Sequence, residues 1–452
     1  MRNIWLGLVL PSLALTSMQA VAAEAGTQPA AAPSDMIFAF TTGAVDFSMP
    51  GETTGVFSNG TDASASSGSG IVGGQFGVSV SKDLGLSGDT DWSIGANAFL
   101  DLAHGSASST QTFSGQGVVV IPGYTTPGNT DITLTTNGDL PHSQVAHTSP
   151  GNETEDVVVT ANGGGGIDQW AATTSAPDSF ALGAVTSVNN GGHTSASYGA
   201  VGATDGGIFI ASGDLTGLSI STSTQTDVVY TGMDVTASAS GKPQDGRVFQ
   251  VYGGPSYRHL SYHTDTTTSV DIPEVASVDP SNYFPTYSMD RNETAASHYL
   301  GGIAGVNAVQ NLGGGMSLAF NAEGGLYYTL SDLQGSESYT LAGGSGGLGG
   351  TVTVPSTTIQ NANALSQSAN GLAYAARAGS SVTMPVLGDL QLTLGGNVEY
   401  LSRVAYATRS AGNPVTTTGN TTTYNGAGSG NTQLAFGSMW NFGVNASLTG
   451  HF

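Results

Sequence analysis

"MWNFGVNASLTGHF", residues 439–452, closes the chain in the middle of a pattern. Every second residue is apolar or small: Trp440, Phe442, Val444, Ala446, Leu448, Gly450, Phe452. Between them lie Asn441, Gly443, Asn445, Ser447, Thr449 and His451. A period of two puts these sets on opposite faces of one β-strand. Most chains end in a polar, fraying tail. A strand that runs to the last residue needs a partner on both sides, as the closing strand of a barrel has.

Working outward, nine further segments carry strand alternation or strand composition: 35–48, 70–82, 91–104, 227–240, 247–264, 298–311, 315–331, 371–385 and 389–407. In 92–102, Trp92, Ile94, Ala96, Ala98, Leu100 and Leu102 oppose Ser93, Gly95, Asn97, Phe99 and Asp101. In 316–330, Met316, Leu318, Phe320, Ala322, Leu326, Tyr328 and Leu330 oppose Ser317, Asn321, Glu323 and Thr329. In 390–400, Leu390, Leu392, Leu394, Val398 and Tyr400 oppose Gln391, Thr393, Asn397 and Glu399. A helix, with a period of 3.6, cannot keep these sets apart.

The joins alternate in length. "DLGLSGDT" (83–90), "GKPQDG" (241–246), "LGG" (312–314) and "VLG" (386–388) are short, whereas the others run from about 20 to more than 120 residues. Short turns at one end and long loops at the other characterise outer-membrane barrels. The expected fold is therefore all-β: an antiparallel transmembrane β-barrel over 35–452, with long extracellular loops and short periplasmic turns. Its strands number about ten, or twelve if the segment 105–226 hides two more. That segment holds strand-like pieces ("GVVVIPGY", "DITLTT", "EDVVVTA", "GGIFIAS", "GLSISTS") between Gly, Asn, Pro and Ser clusters. It is read as a long β-rich extracellular insertion.

The N-terminus and the composition agree. Met1–Asn3 is positively charged, Ile4–Leu15 is apolar, and Ala20, Val21 and Ala22 offer small residues for cleavage. This is a secretory signal peptide over 1–23, followed by a short periplasmic segment, 24–34. Export to the outer membrane through the periplasm is the expected localisation. No window of roughly 18 apolar residues marks a transmembrane helix. Cysteine is absent, so no disulfide supports the fold. Acids outnumber bases 32 to 9. Nucleic acid, which demands a basic face, is excluded as a partner. The partners expected are outer-membrane lipid, lipopolysaccharide and the outer-membrane assembly machinery. The sequence leaves the oligomeric state open.

Continuing the alternation of each strand places Asp101, Asp234, Arg258, Glu323, Arg377, Glu399 and Arg403 on inward faces. Charges in a narrow lumen are costly unless paired. They are read either as a salt-bridge network bracing the barrel or as a charged constriction that screens solutes. About eight strands leave a lumen that side chains fill, and sixteen leave a water channel. Ten strands with many small inward residues point to a narrow, non-enzymatic pore for small solutes. The alternative is a closed barrel that displays its loops as a structural or adhesion surface. A third reading is a hydrolase at the rim, built from His259, His263 and Asp265, or Asp101 and His104. It shares only residue types with proteases of the omptin kind. No residue set points to a cofactor or a metal.

The segments 247–263 and 299–335 also resemble the pore-forming major outer membrane protein family. The similarity rests on Tyr257-Arg258, Gly301-Gly302, the glycine turn at Gly313–Gly315, and Glu323 in the strand that follows. It implies a barrel that forms pores and has no enzymatic activity. The C-terminal strand, with Trp440, Phe442, Leu448 and the terminal Phe452, resembles the signal read by the outer-membrane insertion machinery. Deleting Phe452 is expected to lower the yield of folded protein in outer-membrane fractions. An unchanged yield would remove that role from the terminal residue.

Overall fold

In the computed structural model the described residues are 36–451, apart from 52–54, 63–69, 88, 126, 137–140, 149–153, 161–166, 176, 190–192, 274–283, 347–351, 411–414 and 426–431. The expected signal peptide, the segment 24–34 and Phe452 lie outside the described residues. Those residues form strands and turns with no helix.

Ten long strands carry the architecture: β1 (Met36–Ser48), β2 (Ile71–Ser87), β3 (Thr90–Thr112), β4 (Ser219–Gly241), β5 (Arg247–Asp271), β6 (Tyr287–Gly313), β7 (Met316–Leu341), β8 (Leu365–Leu387), β9 (Leu390–Arg409) and β10 (Thr432–His451). Each pairs antiparallel with its neighbours, and β10 pairs with β1, so the ring closes. The first-to-last pairing runs from Ile37 opposite His451 to Ser48 opposite Trp440. An eleventh strand, Thr357–Gln360, pairs only with the end of β7 and stays outside the ring. Residues 105–112 and 219–226 belong to β3 and β4, and the described strands between them, from Gln116 to Asp214, do not enter the ring.

The two faces of the ring differ as the alternation predicts. Exposed large apolar side chains fall on these ten strands almost without exception; Val158 is the outlier. On β10, Trp440, Phe442, Val444 and Leu448 point outward and are exposed, while Asn441 is fully buried inside. On β7 the outward residues are apolar from Met316 to Leu330, then polar: Asp332, Gln334, Ser336, Ser338, Thr340. The outward belt therefore ends near Leu330. Tyr328, Tyr374, Tyr400 and Trp440 cluster at this edge, with Tyr374 stacked on Tyr400 and Trp440 edge-on to Tyr400.

The strand boundaries depart from the sequence reading at both ends of the ring. "DLGLSGDT" is not wholly a turn: β2 runs on to Ser87, through an irregularity between Asp83 and Gly85. Gly85 has φ +86°, and its N–H donates to the Asp83 carboxylate at 2.7 Å. The strands also run well past the belt at the loop end, β6 reaching 27 residues. At about 3.3 Å per residue, the 11 residues of β7 after Leu330 project roughly 35 Å further along the strand.

Over that end sits a two-sheet lid built from three loops. The seven-stranded sheet runs in the order Ile167–Ser175, Ser179–Asn189, His193–Ala203, Gly206–Asp214, Gln116–Pro122, Phe57–Ser58, Thr61–Asp62. The five-stranded sheet runs Val415–Thr418, Thr421–Asn425, Thr130–Thr135, His142–Thr148, Thr154–Thr160. Ile132, Leu134, Val145 and Val159 face Val185, Val201, Ile208 and Ile210 between the sheets. On its other face the seven-stranded sheet packs Phe180, Tyr198 and Phe209 against Ile220, Val270, Tyr287 and Tyr339 of the ring. Being covered on both faces, Gly206–Gly213 is buried at every residue rather than at alternate ones.

Candidate functional site

The inward charges gather into one layer across the lumen. Their positions follow from register. Arg377 on β8 stands directly opposite Glu323 on β7 and Glu399 on β9, and Glu399 stands opposite Asn441 on β10. On the other wall, Asp101 of β3 stands between Gln75 of β2 and Tyr230 of β4.

Arg258 holds Asp234 with two hydrogen bonds, Nη1 to Oδ1 at 2.5 Å and Nη2 to Oδ2 at 2.9 Å. The residue facing Arg258 across the pair is Gly232, not Asp234. A Cβ at Gly232 would lie 2.6 Å from Arg258 Cδ and 2.5 Å from the Phe99 ring. The bare glycine lets the arginine lie over its neighbour and reach Asp234 two residues along. Its guanidinium also sits 4.9 Å from the Phe99 centroid and 4.0 Å from the Glu323 carboxylate. Arg377 donates to Glu399 at 3.3 Å. The Tyr230 hydroxyl donates to the same carboxylate at 2.7 Å, Asn441 donates to Asp101 at 3.1 Å, and Tyr252 donates to Glu323 at 3.1 Å.

Arg403 stands apart. Strand β9 has a register irregularity between Ser402 and Val404, and Arg403 itself has φ +57°. A bulge of this kind re-aims a side chain. The guanidinium lies 3.8 Å over the Phe436 ring and donates to Thr329 Oγ1 and the Asn370 carbonyl. So six of the seven predicted lumen charges form the layer, and the seventh braces the wall above it.

The level of this layer is packed. Asp101, Asp234 and Arg258 are each 1% exposed, and Tyr230 and Phe99 are 0%. A water-filled path here would leave such groups accessible. Above them, inward Phe47, Leu260, Tyr262, Tyr299, Leu333 and Leu401 continue one buried cluster.

A second ionic level, which the sequence reading missed, joins ring to lid. Arg291 Nε donates to Glu337 at 2.7 Å, and Arg409 pairs with Glu293. Glu337 Oε2 also accepts from the Tyr339 hydroxyl at 2.6 Å and from the backbone N–H of Tyr124 at 2.7 Å. Arg291 Nη2 donates to the carbonyl of Pro122, the last residue of a lid strand, at 2.5 Å. Burial and the adjacent Glu337 carboxylate push the Tyr339 phenol well above its ordinary range, so it stays a donor. All four charged residues lie beyond the strand ends read from sequence. Their inward alternation was the available signal.

The histidines proposed for rim chemistry face outward. His263 meets Asp265 at 3.4 Å and Thr294 at 2.9 Å. His259 stacks on His298 with centroids 4.5 Å apart. His104 pairs with Asp227 at 2.8 Å on the outer face, while Asp101 points into the lumen, so the pair suggested by their sequence proximity is not formed. Among the described residues no group of three or more His, Asp or Glu is arranged to hold a metal ion.

No family model matches the chain. No curated protein matches it either. Solved structures similar to it include the outer membrane protease OmpT from Escherichia coli, at 9% identity over 93% of this chain and 96% of that one, with TM-score 0.33. A Pseudomonas aeruginosa FadL homologue is similar at 10% identity, covering 92% and 90% of the two chains, with TM-score 0.22. The Pseudomonas putida toluene transporter TodX is similar at 9% identity, covering 97% and 95%, with TM-score 0.20. These structural neighbours are bacterial outer-membrane proteins.

Proposed function

We propose that this chain is an outer-membrane β-barrel closed by its own side chains, which carries a folded β-sandwich on the cell surface as a structural or adhesion element. The membrane assignment rests on the outward apolar belt. Exposed apolar area of that extent is untenable in water, and a closed ring leaves no strand edge unsatisfied in lipid. The long-loop end, with its polar outer walls and lid, is then extracellular, and the short turns are periplasmic.

The observation that carries the closed reading is the buried Arg258–Asp234 pair, 1% exposed in mid-lumen with Tyr230, Phe99 and Glu399 around it. The small inward residues that suggested a narrow pore do leave space, but on the turn side of the layer. A polar vestibule of about 640 Å³, counting the solvent in its mouth, lies there. That vestibule favours the second reading, a narrow pore, which the resemblance to the major outer membrane protein family also implies. We propose a non-enzymatic role in either case. The hydrolytic reading needs His263 to reach two carboxylates, and its ion-pair partner is Asp265.

Planar-bilayer recording of the purified, folded protein tests the choice. The closed barrel is expected to give no steady channel steps. Regular steps whose ion selectivity changes in Arg258→Ala or Arg377→Ala would overturn it in favour of the pore. An epitope inserted between Thr160 and Ile167, the ends of two lid strands, is expected to be detected on intact cells. Detection only after permeabilisation would reverse the orientation.

A further inference from the structure

One joint of the ring differs from the other nine. Elsewhere neighbouring strands are joined by a turn or a loop as well as by hydrogen bonds, but β10 and β1 lie at the two ends of the chain. Their seam is held by noncovalent contacts alone, over twelve residue pairs from Ile37–His451 to Ser48–Trp440. In lipid an opened seam leaves backbone groups unsatisfied, which keeps it shut. That restraint ends at the belt edge, where Trp440 lies. Above it β1 has ended, whereas β10 continues through 432–439. Water can satisfy freed groups there, so opening starts from this end.

The loops on either side of the seam are both built into the lid. The loop that leaves β1 supplies Phe57–Ser58, which pairs with Val119 and Val120 of the seven-stranded sheet. Asn59 adds two bonds to Val118: its N–H donates to the carbonyl at 2.8 Å, and its Oδ1 accepts from the N–H at 3.0 Å. The loop that enters β10 supplies Thr421–Asn425, which pairs with Asp131–Thr135 of the five-stranded sheet. The Thr136 N–H donates to the Asn420 carbonyl at 2.8 Å, and Thr422 Oγ1 meets Ser212 Oγ of the other sheet at 2.8 Å. Residues 118–120 and 131–135 belong to one loop, that between β3 and β4, and the two sheets share a buried core. Both sides of the seam are therefore fastened to one folded body. The chain leaving β1 also touches β10 directly. A Cβ at Gly437 would lie 2.7 Å from Pro50 Cβ, so the bare glycine lets Pro50 lie on β10 above the seam.

We infer that the lid is a clasp on the barrel seam, tying β1 to β10 at the end from which they part. Such a tether acts through effective concentration, returning the two strands to register each time their pairing frays. The role needs only the closed ring, so channel steps in a bilayer recording would leave it standing.

Hydrogen–deuterium exchange of the folded, reconstituted protein tests it. Replacing 415–425 with a Gly/Ser segment of equal length releases the β10 side. Exchange is expected to rise about 10-fold or more in 42–48 and 440–446, and to stay unchanged in 316–330. In that background a disulfide from Ala44→Cys with Val444→Cys is expected to restore the slow rate. These two residues stand directly opposite each other, and the chain has no other cysteine. If the replacement does not fold, Asn59→Gly carries the test. It keeps the positive φ of residue 59 and removes the side-chain acceptor, so a rise of about 3-fold at the seam is expected. A rise confined to the lid, with the seam unchanged, would overturn the inference. A rise shared equally with 316–330, or one that the disulfide does not reverse, would overturn it too.

Discussion

Replacing Arg258 with Ala is expected to destabilise the barrel by about 3–5 kcal/mol, the cost of leaving a buried carboxylate without its partner. Asp234, at 1% exposure, cannot be rescued by bulk solvent, and it loses both of its bonds to the guanidinium. Glu323 and the Phe99 ring lose the same cation. The readout is the temperature at which the folded band converts to the unfolded one on a gel, or the midpoint of urea unfolding in detergent. Arg258→Met with Asp234→Asn removes both charges and is expected to recover most of the loss, because a buried pair exchanged for neutral groups of similar volume is often tolerated. Near-wild-type stability for Arg258→Ala would mean that water already reaches this level, which would count against the packed layer and for an open path.

The second large effect should appear at the junction of ring and lid. Glu337 is 2% exposed and accepts from Arg291, Tyr339 and the Tyr124 backbone. Glu337→Ala removes three acceptor contacts at once and leaves the Arg291 guanidinium without its carboxylate. A loss of about 3–5 kcal/mol is again expected, but confined to the lid. Hydrogen exchange should rise in 116–122 and 206–214, and limited proteolysis should cut within 113–218 while the ring stays folded. Exchange that rises equally in belt strands such as 316–330 would show that lid and ring unfold as one unit. The two variants are then separable: Arg258→Ala acts on the whole barrel, and Glu337→Ala on its cover.

The belt was legible because lipid and lumen impose opposite chemistries on alternate residues. Where one face must be apolar and the other polar, the period of two stands out, as in Met316–Leu330 and Trp440–Leu448. Above the belt both walls of a strand meet polar surroundings on the outside and mixed ones within. There the alternation fades, although the strand continues. For this reason the sequence reading ended β7 at 331 and began β6 at 298, and Arg291, Glu293, Glu337 and Arg409 were not assigned to strands or were left past their ends. The lid strands were visible as β-like pieces. Their order was not, because residues 57–62 and 415–425 join the sheets from loops far away in the chain.

By itself the sequence determined the strand periodicity, the inward face of each belt strand and hence which charges enter the lumen, and the polarity of turns against loops. These are local properties, set by the side-chain period and by the solvent each face meets. The tertiary structure decided which charges meet, that Gly232 gives Arg258 its path to Asp234, and that a bulge takes Arg403 out of the layer. It also decided that Asp101, Asp234 and Arg258 are buried at the level of the charge layer. Pairing across strands depends on register, and filling depends on the summed volume of side chains from ten strands at one height. Neither quantity belongs to any single stretch of the chain, including the alternating strand on which it closes.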